Sequence, residues 1–166
     1  MKGIFLSFFF ISFLEVVVEG KCPEPFESVQ DKCYYFELEV SRSWDNCRAR
    51  CQDLGGDLAV LSTCEEFSLL VKHIHIAQLE IPDAFSFFVG GTDRGDEGVW
   101  YWVDGSPMRM GIPFWGQTDN IAEPSGGTAQ NCATLNKANR YYFHDGECDK
   151  NGYAICQVDP LPDIEG

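Results

Sequence analysis

The 166-residue sequence predicts a single α+β domain stapled by disulfides, with two helices, an irregular antiparallel β half and one long loop. Three observations predict it. Two amphipathic helical patterns fill the first half of the chain. From Phe85 onward, short aromatic and β-branched runs alternate with Gly, Asp, Pro and Asn clusters. Helices followed by strands in this order give an α+β domain. Eight cysteines are spread across both halves, an even count that in an exported chain implies a disulfide framework.

The first helix starts after Ser43 as N-cap, carries Trp44, Cys47, Cys51 and Leu54 on one face, and stops at Gly55-Gly56. The second starts with a capping box at Ser62-Thr63-Cys64-Glu65, and its apolar face is Phe67, Leu70, Val71 and Ile74. Expected strands lie in the runs Phe87 to Val89, Val99 to Val103, Cys132 to Leu135 and Tyr153 to Gln157. The stretch Asp104 to Asn131 reads as a loop, and loops that long in a compact domain are usually functional. Trp44, Trp100 and Trp102 are expected in the core, with Trp115 partly exposed. His73 and His75 are expected to face solvent.

Residues 1–20 read as a secretory signal peptide. Lys2 supplies the charged start, Ile4 to Leu14 the apolar core, and Val18-Glu19-Gly20 the small residues at a cleavage site. Glu15 interrupts the apolar run well short of the ~20 residues that span a bilayer. Cleavage after Gly20 leaves a secreted domain over 21–159 and a short tail over 160–166. The formal net charge is −14, and −13 without the leader, which opposes nucleic-acid binding. No nucleophile elbow, HExxH or phosphate loop occurs, so the chain does not read as an enzyme.

Among the cysteines, Cys22 to Cys33 looks like a stapled hairpin, and Cys132 to Cys148 would close a loop of about 15 residues worth roughly 3 kcal/mol. Spacing alone leaves the other pairings open. Between and beside these positions lies the most specific chemistry. Glu123-Pro124-Ser125 stands ahead of Cys132, and Asp145 stands just ahead of Cys148. Oxygen ligands converging from two loops suit a hard cation such as calcium.

These residues resemble the C-type lectin-like domain over Cys22 to about Gln157. Cys22-Pro23 with Cys33-Tyr34-Tyr35-Phe36 resembles the family's optional N-terminal hairpin. Ser43-Trp44 through Cys51 and Gly55-Gly56-Asp57-Leu58-Ala59 resemble its first helix and turn. Phe88-Val89-Gly90-Gly91, Glu97-Gly98, Trp100, Trp102 and Asp104-Gly105 follow at the family's spacing, and Tyr153-Ala154-Ile155-Cys156 resembles its closing strand. The style is that of secreted single-domain lectins of arthropod immunity. The resemblance implies disulfides Cys51–Cys156 and Cys132–Cys148. Cys47 and Cys64 fall outside it and are paired by elimination.

The resemblance also implies a site. The family's calcium-binding triplet falls on Glu123-Pro124-Ser125, its later acid on Gln130, and its Asn-Asp pair on His144-Asp145. Glu123 and Asp145 match in type, whereas Ser125, Gln130 and His144 differ. The expected metal ligands are Glu123, Ser125, Gln130 and Asp145, with calcium as the cofactor, and the same residues with His144 would hold the sugar. Asp93 and Glu97 match acids of an auxiliary calcium site, where Gly126 replaces a further acid. A first-position Glu leans toward mannose-type hydroxyls. The function implied is a secreted, calcium-dependent lectin of innate immunity whose partners are glycans, including microbial surface polysaccharides. The alternative is a calcium-independent protein-interaction module; ice or mineral binding is a third use of such a fold. Gln117-Thr118-Asp119 resembles a galactose-type triplet but lies too far from Cys132 and is assigned to an insertion. Arg94-Gly95-Asp96 spells an integrin-type tripeptide in a variable turn.

Overall fold

A computed structural model describes residues 21–82, 85–111 and 114–162. The signal-peptide expectation for 1–20 and the end of the tail lie outside the described residues. In chain order the elements are β1 (Glu27–Val29), β2 (Lys32–Phe36), α1 (Trp44–Asp53), β3 (Asp57–Leu58), α2 (Cys64–Ile76), β4 (Ser86–Thr92) and β5 (Tyr101–Trp102). There follow β6 (Gln117–Thr118), β7 (Ile121–Ala122), β8 (Cys132–Asn136), β9 (Tyr142–Gly146) and β10 (Tyr153–Val158).

β10 is the hinge of the sheet. It pairs antiparallel with β2 and β3 and parallel with β4, which in turn pairs antiparallel with β8 on its other side and with the short β5. β8 and β9 form the antiparallel hairpin that matters for function, with Ala133 opposite Asp145 and Thr134 opposite His144.

Ser43 is the N-cap of α1, yet its side chain makes no capping hydrogen bond. The helix buries Trp44, Cys47 and Cys51 and ends before Gly55, whose φ of +87° is left-handed backbone that glycine takes without cost. The capping box of α2 lies one residue later than the sequence suggests. Thr63 Oγ1 accepts from the Glu66 N–H, and Glu66 Oε2 accepts from the Thr63 N–H, each at 3.1 Å. The same Glu66 oxygen also takes the Ser62 N–H at 3.0 Å, so Glu66 rather than Glu65 fixes the helix start.

The long stretch from Asp104 to Asn131 is pinned at its middle. Phe114 and Trp115 are buried, and Trp115 is only 2% exposed, against the expectation of partial exposure. Its ring meets Trp100 edge-on at 4.9 Å, and Phe143 lies 6.0 Å away. An aromatic side chain hides 150–250 Å² when buried, enough to draw a loop onto the core. The Phe143 N–H donates to Phe114 O at 2.8 Å and the Gly116 N–H to Phe143 O at 2.9 Å, so the loop runs alongside β9. Beyond this anchor β6 and β7 form a small hairpin.

Disulfides join Cys22–Cys33, Cys51–Cys156 and Cys132–Cys148. The pairing of Cys47 with Cys64 is corrected: both are free. Cys47 faces inward from α1 into a core with Cys51, Cys132 and Cys156, with Sγ at 3.6 Å from both Arg42 O and Gly152 O. Cys64 is exposed at the start of α2, a helix whose apolar face packs into the other core cluster. Elimination failed because the two helices do not turn these faces to each other.

Arg94 of the Arg-Gly-Asp triplet is tied down. It pairs with Asp45 at 2.6 and 3.0 Å and its guanidinium lies 5.2 Å over the Trp44 ring. His73 is half-buried, stacked on Phe36 with Nε2 at 3.2 Å from Glu27, while His75 is exposed as expected.

Candidate functional site

Two chain segments build the site. The first is β9, held in register by β8 and by the Cys132–Cys148 bridge that ties its base. It presents His144 and Asp145, both buried. The second is the turn after β7, where the Glu123–Pro124 peptide is cis and the Glu123 N–H donates to Gly116 O at 3.0 Å. Asp145 joins the two. Its Oδ1 accepts from the Ser125 N–H at 3.1 Å and its Oδ2 from the Gly126 N–H at 2.6 Å.

Glu123 is buried beside Asp145, and burial is the largest reason its carboxyl is held above the usual range; contact with Asp145 raises it further, against lowering by Ser125 and Thr118. Two carboxylates so placed repel once both ionise, and a cation is what relieves that repulsion. His144 supplies a neutral partner. Asn139 Nδ2 lies 2.9 Å from His144 Nε2, which therefore accepts, and the ring proton sits on Nδ1, 3.3 Å from Glu123 Oε1. Burial holds the His144 pKa below the ordinary imidazole value, partly opposed by Asp145. His144 thus sits behind Glu123 and orients it.

Ser125 is exposed at the rim, and its hydroxyl hydrogen-bonds the Glu123 carboxyl. Gln130 folds back over Gly126, where a Cβ would overlap Gln130 Oε1. The glycine therefore makes room for the glutamine amide.

The auxiliary residues lie on the turn after β4. Asp93 is 3% exposed; its Oδ2 takes the Gly98 N–H at 2.9 Å, and its Oδ1 has no hydrogen-bond partner. Asn131 Oδ1 is likewise buried and without a partner. The Asp93 N–H donates to Asn131 O at 3.3 Å, so the two residues are backbone neighbours. Desolvation and then the charges of Asp93 and Asp145 raise the exposed Glu97 carboxyl. Desolvation likewise raises Asp93, with Asp145 adding to it. Buried polar oxygens are normally satisfied, so a pair of orphaned ones marks a place for water or an ion.

Among the described residues, no group of three or more His, Cys, Asp and Glu side chains is gathered as a preformed metal cluster. The donor set nevertheless fits a hard cation. Carboxylate, hydroxyl and amide oxygens predominate, and calcium takes 6–8 oxygens, water among them. Glu123, Asp145, Ser125 and Gln130 would hold a principal ion, and Asp93, Glu97 and Asn131 an auxiliary one.

Three participants escape the sequence reading. Thr118, set aside with its insertion, stands 3.5 Å from His144 Nδ1. Asn139 fixes the His144 tautomer from a 3-10 turn at Lys137–Asn139. Asn131 supplies the second orphaned oxygen. Only Asn131 carried a signal, its place next to Cys132.

Comparisons with known proteins bear on the family and the fold. The sequence model of the Lectin C-type domain matches residues 40–158. The chain is 32% identical over 145 residues to human C-type lectin domain family 4 member E, covering 85% of this chain and 60% of that protein. It is 32% identical over 136 residues to human C-type lectin domain family 17, member A, covering 82% of this chain and 32% of that protein. It thus spans less than two thirds of these curated relatives. The cow C-type carbohydrate-recognition domain of CD23, solved in the presence of GlcNAc2Man3 oligosaccharide, superposes with a TM-score of 0.68 at 26% identity, covering 86% of this chain and 99% of that one. A calcium-independent type II antifreeze protein shares the fold at 22% identity and a TM-score of 0.64, covering 84% of this chain and 95% of that one. With the family's domain matched across most of its length and its disulfide-stapled β8–β9 hairpin in place, the chain belongs to the C-type lectin family.

Proposed function

We propose that the protein is a secreted, calcium-dependent lectin of innate defence that binds microbial surface glycans, with Glu123 and Asp145 as its principal calcium ligands. One observation carries the reading: two buried carboxylates from separate segments converge, and burial together with the neighbouring Asp145 disfavours the charge on Glu123. A divalent cation would reverse that penalty and leave coordination positions for vicinal sugar hydroxyls. The carbohydrate-binding set is Glu123, Ser125, Gln130 and Asp145, with His144 positioning Glu123. Support for a mannose-containing ligand comes from Glu123 at the first position and from the CD23 domain studied with its oligosaccharide. The signal-like leader supports secretion.

Two ionised ligands where relatives of this motif carry three should leave calcium weak, in the range of about 10⁻⁴ to 10⁻³ M known for extracellular modules. Calorimetric titration with calcium, followed by a glycan array with and without chelator, tests the reading. Glycan signals that vanish with chelator are expected.

A second reading, a calcium-independent interaction module, draws on one feature. Asp145 already has both oxygens on backbone N–H groups, and His144 already partners Glu123. No calcium heat at millimolar concentration, with binding that persists in chelator, would favour it.

A further inference from the structure

Beside the candidate site, and separated from it by one residue, lies a groove that the calcium reading does not use. Tyr142 lines two depressions. One, of about 370 Å³, includes Glu123, Trp115, Ala122 and Asn139. The other, of about 570 Å³, lies between α2 and the turn before β9 and includes Phe67, Val71, Lys72, Ile76 and Arg140. A ligand leaving Glu123 across the Tyr142 ring enters this second groove.

Its charge is at odds with the rest of the chain. The sequence has 26 acidic residues against 12 Lys and Arg, so a surface cation ordinarily finds a carboxylate. Lys32, Arg42, Arg48, Arg50, Arg94, Lys137 and Lys150 all do. Among the described residues Lys21, Lys72, Arg109 and Arg140 are exposed without an ion-pair partner, and of these Lys72 and Arg140 line one groove. Among the described residues no acidic side chain lines the groove. Arg140 is exposed on a tight turn, where it and Tyr141 are both left-handed, at φ 53° and 63°. Tyr141 turns inward against the His75 and Phe87 rings, leaving the guanidinium at the rim. The floor is apolar and partly aromatic, with Ile76 70% and Tyr142 36% exposed, a surface suited to the C–H faces of pyranose rings.

We propose that this groove is a second subsite, which holds an oxyanion substituent of an acidic glycan between Lys72 and Arg140. The identity of the ligand as a glycan rests on the calcium–sugar reading of Glu123; the anion subsite itself rests on the groove. Guanidinium and ammonium groups bind phosphate or sulfate oxygens by charge-assisted hydrogen bonds. The chain's overall negative charge repels such a ligand at long range, so retention depends on this local pair, and moderate salt screens the repulsion.

The test compares a neutral mannose oligosaccharide with its phosphorylated counterpart at about 0.1 M salt and millimolar calcium. Wild type, Lys72→Glu/Arg140→Glu and Lys72→Gln/Arg140→Gln are measured, the last to remove charge without adding any. The phosphorylated ligand is expected to bind wild type about tenfold more tightly than the neutral one. Both double variants should lose that gain while their affinity for the neutral ligand stays unchanged. No gain in wild type, or a gain kept by the variants, overturns the subsite. Phosphorylated-ligand binding that survives Glu123→Gln and chelator but disappears in the variants supports the subsite and instead removes the calcium–sugar reading. Displacement of the phosphorylated glycan by anionic phospholipid vesicles, with equal potency at equal phosphate, overturns the glycan assignment in favour of a lipid headgroup.

Discussion

Asp145 clamps the loop that carries the candidate triplet: its Oδ2 lies 2.6 Å from the Gly126 N–H, and its Oδ1 holds the Ser125 N–H at 3.1 Å. The residue is therefore a structural strut as well as a ligand candidate, and its role differs from that of Glu123. Hydrogen bonds to a charged group contribute about 1.5–3 kcal/mol each. Asp145→Ala should lower stability by roughly 2–3 kcal/mol in calcium-free buffer, measured by denaturant unfolding with disulfides intact.

Glu123 should behave in the opposite way. Its ionised form is disfavoured in the fold, and Glu123→Gln keeps an acceptor for His144 Nδ1. The substitution is expected to abolish calcium-dependent glycan binding while leaving the calcium-free unfolding midpoint unchanged or higher. A drop in stability as large as that of Asp145→Ala would contradict the assignment.

The two titrating neighbours give opposite pH limbs. Glu123 has a folded pKa above 4.5, so its stabilising contribution is full below the unfolded value and fades as pH rises through the raised one. His144 has a folded pKa below 6.5, so its contribution is full above the unfolded value and fades as pH falls through the depressed one. Calcium requires ionised Glu123, so its affinity should fall as pH drops from neutral into the acid range through the raised Glu123 pKa, and glycan binding with it. His144→Asn should remove the imidazole limb of the stability profile and keep the Glu123 limb. Calcium titrations across that range check the first statement and unfolding curves the second.

Restoring charge should tighten the site. Ser125→Asn with Gln130→Glu adds an amide carbonyl and a carboxylate beside Glu123 and Asp145. By ligand charge the calcium affinity should rise by about tenfold or more, read by calorimetry against wild type.

The free cysteines should differ in reactivity. Cys64 is exposed, whereas Cys47 is buried with its thiol pKa pushed up to about 12 by burial. A thiol reagent should label one cysteine per native chain and two after unfolding without reductant. Label-free Cys47 and Cys64 joined in non-reducing peptide maps would restore the pairing that elimination suggested.

Much of this was legible in local pattern. Helical period placed Trp44, Cys47 and Cys51 on one face and Phe67, Leu70 and Ile74 on another. Aromatic and β-branched runs marked β4, β8 and β10, and the family resemblance carried the Cys51–Cys156 and Cys132–Cys148 bridges. Glu123 and Asp145 stood out because their residue types and their distance from those cysteines are properties of the chain itself. Other features depend on which surfaces meet. Period tells which side of a helix is apolar, not what that side faces, so Cys47 and Cys64 went to separate places. Trp115 entered the core because Trp100 and Phe143 offered it a surface, and neither is near it in sequence. Thr118 became a neighbour of His144 through the loop that Trp115 anchors, and Asn139 through the turn that joins β8 to β9. Whether a carboxylate, a histidine or an orphaned amide oxygen shares one cation site is a matter of ångströms, and those follow from packing between distant segments rather than from spacing along the chain.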